Sequence, residues 1–300
     1  MSRLVLTTRN IPRPFESVDR HAPVQFWLWP NLLSLQAPLV AVLWQVLLTR
    51  SMHLRLNPFE PWTLGLTVWL IYVTDHLIDT AQPAGGEWEP ARKDFCRGHW
   101  HKFLYLAIAG GFILTVLVRH FLPAATVRAG WQLSAVVACY FALIHLAPAN
   151  WRRGWPRELA VATLFTVGTL GIVWMANGQG IAPLLPPALL FMLLCWTNCS
   201  LIETWEWEAS GAHDAEAPNR VTRWVAEHLT VVGVVIATAS GVLGLGSLLS
   251  AGFAVAASLS GLALALLGIS RSAIPARFAS PAADLALCTP IVVLVFLWLR

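Results

Sequence analysis

Trp69-Leu-Ile-Tyr-Val-Thr-Asp-His-Leu-Ile-Asp79 is an apolar run that ends in two carboxylates, Asp75 and Asp79, four residues apart. On a helix residues at i and i+4 lie one above the other, and Tyr72 falls one turn earlier on the same face. A carboxylate inside a membrane, or at its edge, is costly and is by default a functional residue. Two stacked carboxylates also repel unless something positive sits between them. A hard divalent cation such as Mg²⁺ takes oxygen ligands and bridges readily to phosphate oxygens.

The composition around this run is that of a membrane protein. Of 300 residues 57% are apolar and only 12% charged, about half the charged share of an ordinary soluble domain. The chain reads as an all-α, polytopic transmembrane bundle in one domain, residues 25–300, after a polar tail at 1–24. That tail carries Arg3, Arg9, Arg13 and Arg20. It lacks the apolar core and small-residue cleavage site of a signal peptide, so it reads as a retained cytoplasmic segment. Apolar runs predict about nine spans, near 25–48, 62–80, 102–122, 129–148, 158–175, 183–203, 225–248, 252–270 and 283–299. The weakest division is Gly246–Gly252, between the seventh and eighth. Trp27, Trp29, Trp62, Trp131, Trp155, Trp205, Trp224 and Trp298 fall near span ends, as an interfacial aromatic belt predicts.

With the N-terminus inside, every Lys and Arg except Arg50, Arg55, Arg119, Arg128 and Arg300 falls on the inner side. This bias predicts an inner-membrane protein with a cytoplasmic N-terminus and an external C-terminus. Every acidic residue but Glu60 falls on the same inner side. The acids gather after the second span (Asp75, Asp79, Glu87, Glu89, Asp94) and around the end of the sixth (Glu203, Glu206, Glu208, Asp214, Glu216). Topology does not demand such clusters, since acidic residues barely influence it. Their separation by four spans hints at an internal repeat.

Three constellations follow. Tyr72, Asp75 and Asp79 precede a loop containing Arg92, Lys93 and Arg97, an arrangement suited to a diphosphate held by metal and guanidinium. The plainer reading is an ordinary helix end, with Asp75 paired to a loop arginine. Glu203 and Glu206 share a helical face, while Asn198 lies roughly 140° away on an ideal helix. Here the plainer reading is a charged helix end flanked by tryptophan anchors. Arg152, Arg153 and Arg157 are topology-setting arginines or a phosphate clamp between the two acidic ends. His76, His99 and His101 offer no specific transition-metal spacing. The scattered cysteines contain no C-x-x-C and suggest neither zinc nor a disulfide framework. No basic cluster interleaved with aromatics suggests nucleic-acid binding. The glycines within spans, Gly168, Gly171, Gly233, Gly241, Gly244 and Gly246, read as close helix packing.

In these features the chain resembles the UbiA superfamily of intramembrane prenyltransferases, which have nine helices and two acidic motifs at the cytoplasmic ends of helices 2 and 6. The family's first motif, N-D-x-x-D-x-x-x-D, aligns with Ile71-Tyr72-Val-Thr-Asp75-His-Leu-Ile-Asp79. The last two acids match, and Ile71-Tyr72 replaces the leading pair. The second motif, D-x-x-x-D, is met by Glu203 and Glu206 with Asn198 or Glu208, at altered spacing. Residues 153–171 resemble the basic loop and glycine-containing fifth helix, and Asn31 sits where relatives carry a polar active-site residue. The resemblance implies Mg²⁺ held by Asp75, Asp79, Glu203 and Glu206 as the catalytic acids. Diphosphate would be held by Arg92, Arg153 and Arg157, with Asn31, Tyr72 and Asn198 also lining the substrate site. The implied reaction moves a prenyl group from a prenyl diphosphate to a lipophilic acceptor within the bilayer. A terpene cyclase of the same fold, or a non-catalytic scaffold or assembly protein, are the alternatives. The nearly charge-free span centres argue against ion-coupled transport.

Overall fold

A computed structural model describes residues 26–81, 90–146, 157–177, 180–210 and 217–299; the tail at 1–24 and Arg152 and Arg153 lie outside them. The described residues form thirteen α-helices and no strand. In order these are α1 (Trp29–Leu32), α2 (Gln36–Ser51), α3 (Phe59–Ala81), α4 (Ala91–Gly98), α5 (Trp100–Phe121), α6 (Ala124–Leu146) and α7 (Arg157–Asn177). They continue with α8 (Leu185–Ser210), α9 (Arg220–Glu227), α10 (Leu229–Leu245), α11 (Ala251–Ile269), α12 (Ala276–Ala286) and α13 (Pro290–Trp298).

Each of the nine apolar runs coincides with a helix or a broken pair of helices. Four stretches are long and apolar enough to cross a membrane: Trp100–Phe121, Arg157–Ala176, Ala182–Ser210 and Ala251–Ile269. The number rises to six if each of two bent pairs, α9 with α10 (78°) and α12 with α13 (44°), is one span. Several such helices are the signature of a membrane protein. The first run is broken at Ser34, whose φ of 56° puts a non-glycine residue in the left-handed region, which leaves α2 at 16 residues. α3 is long enough, but Asp75, His76 and Asp79 in its final turns make it less apolar.

α3 is polar at both ends. At its start Glu60 accepts hydrogen bonds from Thr126 Oγ1 (3.2 Å) and the Asn57 backbone N–H (3.1 Å). Asp79 lies 19 residues further on, about 28 Å along the axis at 1.5 Å per residue, close to the ~30 Å of a hydrocarbon core.

The core lies where α2, α7, α8, α11 and α12 meet. Trp44 is fully buried between Phe191 and Phe253, with ring centroids 4.9 and 5.1 Å away, and donates its indole N–H to the Leu287 carbonyl at 2.8 Å. α10 and α11 join through a turn at the weakest predicted division, where the Ser250 hydroxyl caps α11 by accepting from the Phe253 N–H. Their axes touch at glycine: a Cβ on Gly233 would lie 2.5 Å from the Gly261 carbonyl oxygen, and one on Gly261 2.7 Å from that of Gly233. Such approach is the expected use of small residues between apolar helices. Gly244 is likewise tight, 2.6 Å from the Ala254 Cβ, whereas Gly171 and Gly241 face open space and Gly168 makes ordinary contact. Gly246 meets only carbonyls of its own last turn. Of the tryptophans expected near span ends, Trp29, Trp62, Trp131, Trp224 and Trp298 are exposed, but Trp205 is a core residue at 6% exposure.

The repeat hinted at by the acidic clusters is present in the order of the helices. α2 to α6 run long, long, short amphipathic, long, long, and α7 to α11 do the same. Ala81 and Ser210, Gly98 and Glu227, and His99 and His228 are each separated by 129 positions (210 − 81, 227 − 98, 228 − 99). Both histidines sit at the break after the short helix with similar backbone angles, φ −124° and ψ 25° at His99, φ −103° and ψ 22° at His228. Each places Nδ1 by the carbonyl four residues back, Phe95 at 3.0 Å or Trp224 at 2.9 Å, and lies against that residue's ring.

Candidate functional site

Acidic side chains in the last turns of a helix face the negative end of its dipole, so a cation must offset them. α3 and α8 both end this way, and both are met by basic side chains. Asp79 pairs with Lys93 Nζ at 2.7 Å. Glu203 accepts from Arg157 Nη2 at 2.5 Å. Glu206 Oε1 lies 2.7 Å from Arg92 Nη2 in an ion pair that is not an aligned hydrogen bond, and Glu208 pairs with Arg271. The short helix α4 thus supplies adjacent cations, Arg92 and Lys93, to the ends of two different long helices.

Arg92 is the deepest of these groups. Its Nη1 donates to the Ser280 hydroxyl on α12, and its buried Nε has no partner among the described residues. Burial alone would lower its pKa, but Glu206, Asp284, Tyr72 and Asp75 together outweigh that and raise it above the ordinary value. Arg157 lies in the field of Glu203, Glu158 and Asp75. Asp75 of α3 therefore acts on two of the three arginines that meet acids of α8. Glu158, buried beside Arg157, accepts from the Thr222 hydroxyl of α9 at 2.7 Å, so both short helices reach this end of the bundle.

The other predicted site residues are in two places. Asn31 is buried at the break between α1 and α2 and donates to Gln36 Oε1 at 2.8 Å, while Gln36 Nε2 reaches the Pro281 carbonyl at 3.3 Å. The same break is tied to α3, where Ser34 Oγ meets His76 Nδ1 at 3.0 Å and Trp69 donates to the Leu33 carbonyl at 3.0 Å. Tyr72 and Asn198 line a pocket of about 30 Å³ between α2, α3, α7, α8 and α12. Asn198 Nδ2 donates to Asp284 Oδ1 at 2.9 Å. Arg153 lies outside the described residues.

Asp284 is the residue that reading the sequence missed. It was grouped with a ninth apolar span, whereas it sits on α12, before the bend to α13, and faces α8. The available signal was an aspartate amid Pro281-Ala-Ala-Asp-Leu-Ala286, a charge within an apolar stretch. Cys195 and Cys199, one turn apart on α8, line the same pocket.

The carboxylate oxygens have the donor chemistry of a Mg²⁺ site. Among the described residues no three His, Cys, Asp or Glu side chains gather as a metal group. Mg²⁺ commonly uses only one or two carboxylates together with substrate phosphates and water, a requirement of donor type that these oxygens meet. No protein-family model matches the chain, and no curated protein or solved structure matches it.

Proposed function

We propose that this protein is a Mg²⁺-dependent intramembrane prenyltransferase of UbiA type, with nine crossings, a cytoplasmic N-terminus and an external C-terminus in the inner membrane. It would transfer a prenyl group from a prenyl diphosphate to a lipophilic acceptor. The observation that carries this reading is that adjacent side chains of α4 bind acids at the ends of both helices, Lys93 pairing with Asp79 of α3 and Arg92 with Glu206 of α8. Asp75, Asp79, Glu203 and Glu206 are the groups that would hold Mg²⁺, exchanging their present cations for it. The ion would supply charge neutralisation of the departing diphosphate. Arg92 and Arg157 would bind the phosphate oxygens, and the unpartnered Nε of Arg92 is a donor ready for one of them. Tyr72 and Asn198 would line the neighbouring substrate space, and Asn31 would hold the α1–α2 break against it.

A second reading has its own support. The acids Asp79, Glu203, Glu206 and Glu208 each already meet a basic side chain, as they would in a non-catalytic scaffold. Turnover separates the two. Purified protein is assayed for diphosphate release from farnesyl and geranylgeranyl diphosphate with and without Mg²⁺. The enzyme reading expects Mg²⁺-dependent release that falls about a hundredfold or more in Asp75→Ala and in Glu203→Ala, the scale of losing an electrostatic stabiliser. Wild-type protein that neither binds nor turns over either diphosphate leaves the scaffold.

A further inference from the structure

α9 is the counterpart of α4 in the doubled order of helices, yet it places its cations differently. On α4, Arg92 and Lys93 turn into the bundle and meet Glu206 and Asp79. The matching positions of α9 (221 − 92 and 222 − 93, each 129) hold Val221 and Thr222, and Thr222 donates to Glu158. The cations of α9 are Arg220 and Arg223, which match the exposed Ala91 and Asp94 of α4 (220 − 91 and 223 − 94, each 129). Neither arginine forms an ion pair among the described residues. The Nε of Arg223 is buried without a hydrogen-bond partner there, which is costly unless an acceptor arrives from elsewhere.

The setting of α9 points to the membrane surface. It meets the apolar, 17-residue α10 at 78°, so α10 set across a bilayer lays α9 along the interface. The helix then has three flanks. Thr222, Val225 and Ala226 are buried in the bundle. Val221 and Trp224 form an apolar flank, 51% and 53% exposed, with the indole of a kind that favours the interface. Arg220, Arg223 and Glu227 form the charged flank, and the two arginines, three residues apart, are neighbours on the helix surface. Glu227 pairs with neither, and the flank keeps a net positive charge.

We propose that α9 is a docking site for the headgroup of one anionic phospholipid, whose phosphate is bound by Arg220 and Arg223 while its acyl chains run past Val221 and Trp224. An anionic lipid fits better than a zwitterionic one, whose own ammonium offsets its phosphate. The site is independent of prenyl transfer.

Native mass spectrometry of the full-length protein, released from detergent micelles, counts bound lipids. Phosphatidylglycerol and phosphatidylcholine with identical acyl chains are titrated in turn. The expected result is one phosphatidylglycerol bound about tenfold or more tightly than phosphatidylcholine, a preference that falls about fivefold in Arg220→Gln and in Arg223→Gln, the scale of one guanidinium at an anionic surface. Lys102→Gln, which removes an exposed cation from the first turn of α5, should leave the preference unchanged. The wild-type comparison requires no variant to fold. Equal binding of the two lipids overturns the site, as does a preference unchanged in folded Arg220→Gln and Arg223→Gln. A preference lowered as much by Lys102→Gln makes the attraction diffuse and overturns it too. Glycerol 3-phosphate is the soluble competitor, and its displacing the lipid at equal concentration makes a free phosphate the occupant and overturns lipid docking.

Discussion

The charged end of the bundle and the α10–α11 seam hold helices together by opposite means. At the seam the side chain is absent: Gly233 and Gly261 bring two backbones into contact, and a single methyl has nowhere to go. At the charged end the helices meet through long side chains, and Arg92, Lys93, Arg157 and Arg271 bring cations to acidic helix ends that would otherwise repel one another. The seam tolerates no added volume, whereas the charged end tolerates no loss of charge where water is excluded. The contrast places conformational adaptability at the end with the ion pairs, since a side-chain pair can exchange partners and a backbone contact cannot.

The comparison is broken most severely by Arg92→Ala. The Arg92 and Glu206 side chains are only 18% and 20% exposed, and removing the guanidinium leaves Glu206 and Asp284 without their shared cation. We expect a loss of about 3 kcal/mol, as for other disrupted buried pairs, read as a lower unfolding midpoint in an SDS titration from mixed micelles. Adding Glu206→Gln should restore part of it, and no recovery would argue that the arginine acts by packing instead. Next comes Gly261→Ala, which should cost about 2 kcal/mol by overpacking in the same titration. Gly241→Ala, which faces open space on α10, should be neutral or stabilising by up to about 1 kcal/mol. Equal effects at the two glycines would remove the case for a close seam. The smallest effect is expected for Lys93→Ala. Its pair with Asp79 leaves both side chains 31% exposed, and solvent screening should hold the cost to about 0.5 kcal/mol or less. A loss as large as that of Arg92→Ala would mean that depth does not separate the two teeth of α4.

Much of the architecture was legible because apolar runs are a long-range signal that local irregularities do not erase. All nine runs became helices, and the glycine reading held at Gly233 and Gly244. The failures were breaks within runs. Ser34 adopts a left-handed backbone that serine only occasionally takes, so the first run divides at a residue that gives no sign of it, although Pro30 and Pro38 stand in the first turns of the helices on either side. His228 turns the chain by 78° between α9 and α10, and only the matching break at His99 makes that turn intelligible. Trp205 was read as an interfacial anchor from its position near a span end, but packing against the core decided its place. At the site, acid spacing located the two helix ends. It did not reveal which cation meets which acid, because those pairs form between elements far apart in sequence, Arg92 with Glu206 and Arg271 with Glu208. Asp284 escaped for the same reason, since its partner Asn198 lies 86 positions away.

The doubled order of helices has a consequence for symmetry. Two equivalent halves would present a ligand with equivalent surroundings on either side. Among the described residues α12 follows the second half and has no counterpart after the first, yet it contributes Ser280 to Arg92 and Asp284 to Asn198. This unrepeated helix therefore makes the cluster chiral in function as well as in shape. A molecule lying across the midline would find arginine from α4 and aspartate from α12 together on one flank only, so it could sit in a single direction.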